Sequence, residues 1–190
     1  FRPEEPLTRA EACVSIVQFL DGERLNPYSQ WIDEANDLQE NSIYTATLTV
    51  DKDADEGDLY FNHIVSLGDV NVQTDNQREV VFNDAKIQRI WLEDSSGETR
   101  IRLTGNTTID QVIVPYGGSI EDDTLTGQGI REVVLRGNKL DEQATYIRGK
   151  VDTVIIEDEA MLRLEAGRVE QLMVYSGAKD SVIFQEQATV

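Results

Sequence analysis

The residues with the clearest chemical potential lie in Asp51-Lys52-Asp53-Ala54-Asp55-Glu56-Gly57, where alternating carboxylates could converge on one hard cation. Asp51, Asp53 and Asp55 have the spacing of the first half of a calcium-binding loop. The second half departs from that pattern, because Gly57 comes one place late and Asn62 stands where a bidentate glutamate would close the site. Calcium held by these three aspartates is one expectation; a solvated hairpin turn is the other. The acidic runs Glu93-Asp94, Glu121-Asp122-Asp123 and Glu157-Asp158-Glu159 read as solvated edges.

Catalytic chemistry finds little to work with. His63 is the only histidine and has no nucleophile signature beside it, so a structural role is expected. Cys13 lies in an apolar stretch with helical spacing and reads as core. Carboxylates are too numerous for spacing to select an acid and base of the kind that cleaves glycans. Trp31, Trp91 and Tyr146 could stack on sugars or simply pack. A non-enzymatic protein is expected.

Charge narrows the partners. With 190 residues, a formal net charge of -19 and a pI near 4.3, the surface would repel nucleic acid and anionic membrane and attract cations. One cysteine cannot form an intrachain disulfide, which leaves stability to packing or to bound calcium. No run of eighteen apolar residues is present, so no transmembrane helix is expected. A chain that begins at Phe1 without a leader is expected to be a processed product or a piece of a longer polypeptide.

The elements that must carry these residues follow from a hydrophobic hexad, apolar-x-x-apolar-x-apolar. It recurs as Leu67/Val70/Val72, Ile87/Ile90/Leu92, Ile109/Val112/Val114, Ile130/Val133/Leu135, Val151/Val154/Ile156 and Val169/Leu172/Val174, at spacings of 20, 22, 21, 21 and 18 residues. A period in this range marks a solenoid with one coil per repeat. The last two apolar positions share one face of a strand, while the first has opposite parity and points inward only if the chain bends between them. A second alternating run in each coil, as in Val80/Phe82, Ile101/Leu103, Leu162/Leu164 and Val182/Phe184, makes the return leg extended as well. Ile120 and Ile147 are thinner versions of it.

The expectation is therefore a mainly β protein: a parallel β-solenoid of about six coils over 67–190, a hairpin or irregular first coil over 44–66, and a helical segment over 1–43. Within that segment Thr8 and Glu11 form a capping box ahead of Ala12, Ile16, Phe19 and Leu20, and a second, weaker helix runs from Pro27 to about Glu40. A leucine-rich-repeat solenoid is the alternative, since Ile130–Leu140 fits that consensus through Asn138 and Leu140. The corresponding positions elsewhere, Asp75, Ser95, Gly117, Glu159 and Gly177, disfavour a buried amide ladder.

The first 20 residues, FRPEEPLTRAEACVSIVQFL, resemble the second half of an S-layer homology motif, the module that holds bacterial surface proteins to the cell wall. The likeness rests on Phe1, Arg2, Pro3, the run Leu7-Thr8-Arg9-Ala10-Glu11 and the apolar helix behind it. In that family the arginine of the TRAE run, here Arg9, contacts an acidic cell-wall polysaccharide, and Thr8 and Glu11 help to build the site. Two features depart from the family pattern: half of one motif stands where binding uses a bundle of them, and Cys13 replaces a bulkier apolar residue. Tyr28–Ile43 reads as a degenerate start of another such motif.

The resemblance implies an extracellular protein at the bacterial cell surface, with cell-wall polysaccharide as a partner. Combined with the solenoid, it points to a structural protein that assembles with copies of itself into a surface layer or filament. A glycan-binding adhesin and a solenoid lyase or hydrolase are the alternatives. The final segment, through Val182, Ile183 and Phe184, carries no capping helix and is the expected assembly edge, with Thr45–Val50 as its counterpart near the other end.

Overall fold

The computed structural model describes residues 24–32, 39–51, 57–74, 78–137, 143–175 and 181–190. They form β1 (Arg24–Asn26), β2 (Gln30–Ile32), β3 (Gln39–Tyr44), β4 (Leu48–Val50), β5 (Leu59–Thr74), β6 (Glu79–Asn83), β7 (Lys86–Asp94), β8 (Arg100–Gly105), β9 (Thr108–Val114), β10 (Gly118–Leu125), β11 (Gly129–Leu135), β12 (Thr145–Ile156), β13 (Leu162–Val174) and β14 (Val182–Thr189). Among the described residues every strand pairing is parallel, and successive coils stack one on the next.

One stack runs the start of β3 (Gln39, Glu40), the first part of β5, β6, β8, β10, the first part of β12, the first part of β13, and β14, while β1 pairs with Ser42–Tyr44 of β3, which pair with Ile64–Ser66 of β5 and so lead to the start of β7. The other runs β2, β4, the second part of β5, β7, β9, β11 and the second parts of β12 and β13. The chain is a parallel β-solenoid. Both legs of each coil are extended, which excludes the leucine-rich-repeat alternative for the described coils.

The hexads sit in register along the second stack. Val70, Ile90, Val112, Val133, Val154 and Leu172 form one ladder, and Val114, Leu135, Ile156 and Val174 belong to the next inward one. Ladder pairs run from Ile87–Ile109 directly to Arg89–Gln111, passing over Gln88 and Asp110, which are exposed. The same step passes over Arg131 between Ile130 and Glu132. This outward residue is the bend that reverses parity and turns all three apolar positions inward.

The first hexad is the exception. Register moves from Ser66–Ile87 to Asp69–Arg89, so this coil has one extra residue at its bend. Leu67, expected inward, is 45% exposed, and Ser66 takes the inward place with its hydroxyl donating to the Gly68 carbonyl at 3.0 Å. The tight bend requires Gly68, since a Cβ there would lie 2.4 Å from the Ala46 oxygen.

A second bend joins the two stacks. Asn41, His63, Asp84 and Gly105 occupy corresponding corners, with φ of 47°, 52°, 51° and 59°. Left-handed backbone reverses direction in one residue, and Asn, Asp, His and Gly tolerate it best.

The solenoid also begins earlier than the sequence suggested. The expected helix from Pro27 to Glu40 is replaced by β2 and the start of β3, which removes the described part of Tyr28–Ile43 from any helical motif. The physical reason is lateral: Ile32 stacks on Val50 and Ile43 pairs between Leu25 and Val65, so parallel ladders bury side chains that a helix with a narrow apolar stripe would leave half exposed. Of the two readings of residues 44–66, hairpin or irregular first coil, the strand pairing is that of a coil: Leu48–Val50 pairs in parallel with Gln30–Ile32 and with Val70–Val72. The capping box, Cys13 and the rest of residues 1–23 lie outside the described residues.

Candidate functional site

The feature with most functional content is the C-terminal end of the solenoid. β14 pairs with β13 through Leu162–Val182, Leu164–Phe184 and on to Arg168–Thr189, and has no strand on its other side among the described residues. Beyond Arg168 the second stack ends on β13 itself. Inward ladder positions that are buried through the body become open here: Leu172 is only partly buried, and Val174 and Phe184 are each 48% exposed. Val182 still packs on the core edge, Ile183 is half-buried, and Tyr175 and Val190 are exposed. The three expected edge residues thus sit together on the terminal strand.

The proposed counterpart at Thr45–Val50 is not an edge. β4 is paired on both sides, to β2 and β5, and Leu48, Thr49 and Val50 are buried. A short apolar strand near the chain's beginning looked terminal because the coil before it, with strands of three residues, carries too few apolar side chains to signal itself.

A polar cavity of about 370 Å³ lies beside the first stack, lined by Asp58, Arg78, Glu79, Glu98 and Arg100. The Glu79 amide donates to Asp58 Oδ1 at 3.3 Å, and Arg100 lies 3.9 Å from Glu79 and 3.4 Å from Glu121. Among the described lining residues three carboxylates face two guanidiniums, so their charges largely compensate.

The surrounding face carries alternating charges from coil to coil. Arg102 reaches Glu79 at 2.9 Å, while Arg148 donates to Glu121 at 3.0 Å and to Glu165. The Glu165 hydrogen bond, opposed by slight burial and aided by the charges of Glu165 and Glu121, holds the Arg148 guanidinium above its ordinary pKa. On the other stack Asp69, Arg89, Gln111 and Glu132 form a hydrogen-bonded row across four coils. These networks, in the first stack more exposed on the arginine side and part-buried on the carboxylate side, contribute modestly to stability.

Of the residues expected to bind calcium, Asp51 follows β4, while Asp53 and Asp55 lie outside the described residues. Among the described residues no group of three or more His, Cys, Asp or Glu side chains is placed to hold a metal. Thr8, Arg9 and Glu11 also lie outside them. His63 belongs to the corner column, with Nε2 3.4 Å from Asp84 Oδ2.

Trp31 and Trp91 share an outward ladder position but are separated by Thr49 and Asn71, and Tyr146 is on the other stack. The aromatics do not form a continuous platform. Trp91 is instead covered by the Arg136 guanidinium, 5.7 Å from its ring centre. The corner column went unread in the sequence, although Asn41, His63, Asp84 and Gly105 recur at 22, 21 and 21 residues. Comparison with protein-family models, curated proteins and solved structures finds no match to this chain.

Proposed function

We propose that this protein is a non-enzymatic structural component of the bacterial cell surface that assembles with copies of itself through the C-terminal end of its solenoid. The observation that carries the reading is the outer side of β14, which has no partner strand among the described residues, with Val174 and Phe184 at inward ladder positions each 48% exposed. Uncovered core and open edge are both satisfied by another polypeptide. The location comes from the S-layer homology resemblance of residues 1–20, with cell-wall polysaccharide as the ligand of Thr8, Arg9 and Glu11.

A stiff, continuously stacked body suits this work, since each coil is held by its neighbours without disulfides. Electron microscopy of the isolated chain tests the reading: ordered sheets or arrays are expected. Deleting residues 181–190 should abolish them while leaving the circular dichroism of a folded β protein. Arrays that survive the deletion would remove the C-terminal end from the account.

A further inference from the structure

The polar cavity beside the first stack is separated from β14 by β10, β12 and β13. Its volume, about 370 Å³, falls within the range of small-molecule sites, roughly 300–1,000 Å³. Such sites are mostly apolar, whereas the described lining here is wholly charged, with Asp58, Glu79 and Glu98 against Arg78 and Arg100.

These groups are fixed in place before any ligand arrives. Glu98 sits on the turn after β7, and that turn is tied to Asp94, a fully buried carboxylate. Asp94 accepts from the Ser96 amide at 2.8 Å, the Ser96 hydroxyl at 2.6 Å and the Thr99 amide at 2.6 Å. Arg78 is 3% exposed, and its carbonyl accepts from the Arg100 amide at 2.8 Å. Glu79 is held by Arg102, and the Arg100 guanidinium lies between Glu79 and Glu121. Groups held this way lose little freedom on binding. Beside them Tyr60, two residues from Asp58 on the same outward side of β5, is 42% exposed.

We propose that this cavity binds a neutral saccharide, one or two rings of a larger glycan, with Tyr60 as the surface on which a ring stacks. Charge selects this class of ligand. The excess of carboxylate in the lining opposes a phosphate or a sugar acid, and the two guanidiniums oppose a metal ion. A neutral polyol meets neither penalty. Each hydroxyl can donate to a carboxylate oxygen while accepting from a guanidinium N–H, and both bonds are charge-assisted. The apolar face of a sugar ring then rests on the Tyr60 ring. The polysaccharide assigned to Thr8, Arg9 and Glu11 is acidic, so this is a second and chemically different site, and the assembly reading does not depend on it.

Calorimetry and saturation-transfer NMR on the full chain test the assignment, with glucose, galactose, mannose, N-acetylglucosamine, cellobiose and chitobiose as probes. Saturable binding of at least one of these sugars is expected. Glu98→Gln and Tyr60→Ala should each weaken it about tenfold, the usual cost of one lost bond to a charged group, with unchanged circular dichroism. Trp31→Ala, which removes an exposed ring from the other stack, should leave binding as it was. Inorganic phosphate and calcium at matched ionic strength should not compete. Binding of none of the sugars overturns the proposal, as does binding that Glu98→Gln and Tyr60→Ala leave untouched or that phosphate or calcium displaces. Each of those results leaves self-assembly standing, and arrays that survive deletion of residues 181–190 leave this site standing.

Discussion

Gly105 occupies the corner column at φ +59°, and a Cβ there would lie 2.5 Å from Asp84 Oδ1 and 2.7 Å from Asn83 Oδ1. Both oxygens accept hydrogen bonds, from the Asn106 amide at 2.7 Å and the Thr104 hydroxyl at 3.0 Å, so displacing them adds to the cost of the backbone conformation. Gly105→Ala should destabilise the protein by about 1–2 kcal/mol, the usual penalty for a side chain in left-handed backbone, read as a lower urea midpoint with unchanged slope. Tyr44 gives a prediction of a different kind. Its ring is buried and its hydroxyl donates to Gln39 Oε1 at 2.5 Å; burial, opposed by the Ser42 hydrogen bond and the charge of Arg24, holds its pKa above the ordinary phenol value. The folded state therefore keeps a proton that the unfolded state releases. The resulting stability is fully present below the unfolded pKa of about 10 and is lost as pH rises through the folded value. Denaturation midpoints should fall at alkaline pH, and Tyr44→Phe should flatten that fall.

Val133 lies between Val112 and Val154 in the central inward ladder and is fully buried. Val133→Asp places a carboxylate with no partner among aliphatic side chains on the neighbouring coils, at a cost of about several kcal/mol against a typical total of roughly 5–15. Loss of cooperative unfolding by circular dichroism is the expected result; a soluble variant of wild-type stability would contradict the stacking. The same ladder explains what could be read in advance. Inward positions must stay apolar on every coil, so the hexad leaves a periodic trace, whereas Asn41, His63, Asp84 and Gly105 share a backbone conformation and no side-chain chemistry. β1, β2 and β4, of three residues each, are too short for alternation to show, and the extra residue at Leu67–Gly68 shifts parity where the pattern was assumed constant. The last described strand was legible because Val182 and Phe184 repeat the alternation of Leu162 and Leu164. Residue types alone hid the closed state of Thr45–Val50, since edge and interior strands carry the same apolar alternation and differ only in what pairs beside them.

At the scale of the whole molecule the dominant fact is a net charge of -19, of which ion pairs such as Arg102–Glu79 and Arg148–Glu121 offset only a part locally. The uncompensated carboxylates repel one another within a chain and between copies, which opposes both compactness and assembly. Monovalent salt should relieve part of this, because the screening length falls to about 10 Å at 0.1 M. Calcium should do more than sodium at equal ionic strength if carboxylates brought together by folding, Asp51, Asp53 and Asp55 first among them, hold it in preference to the unfolded chain. The expected result is a melting temperature that rises with sodium chloride and rises further in millimolar calcium, accompanied by a shift toward the assembled species in sedimentation. Asp53→Asn with Asp55→Asn should remove the calcium increment and keep the sodium response, separating a bound ion from general screening. Identical melting curves in chelator and in calcium at matched ionic strength would leave screening as the whole effect, and assembly would then depend on salt concentration and not on the kind of cation.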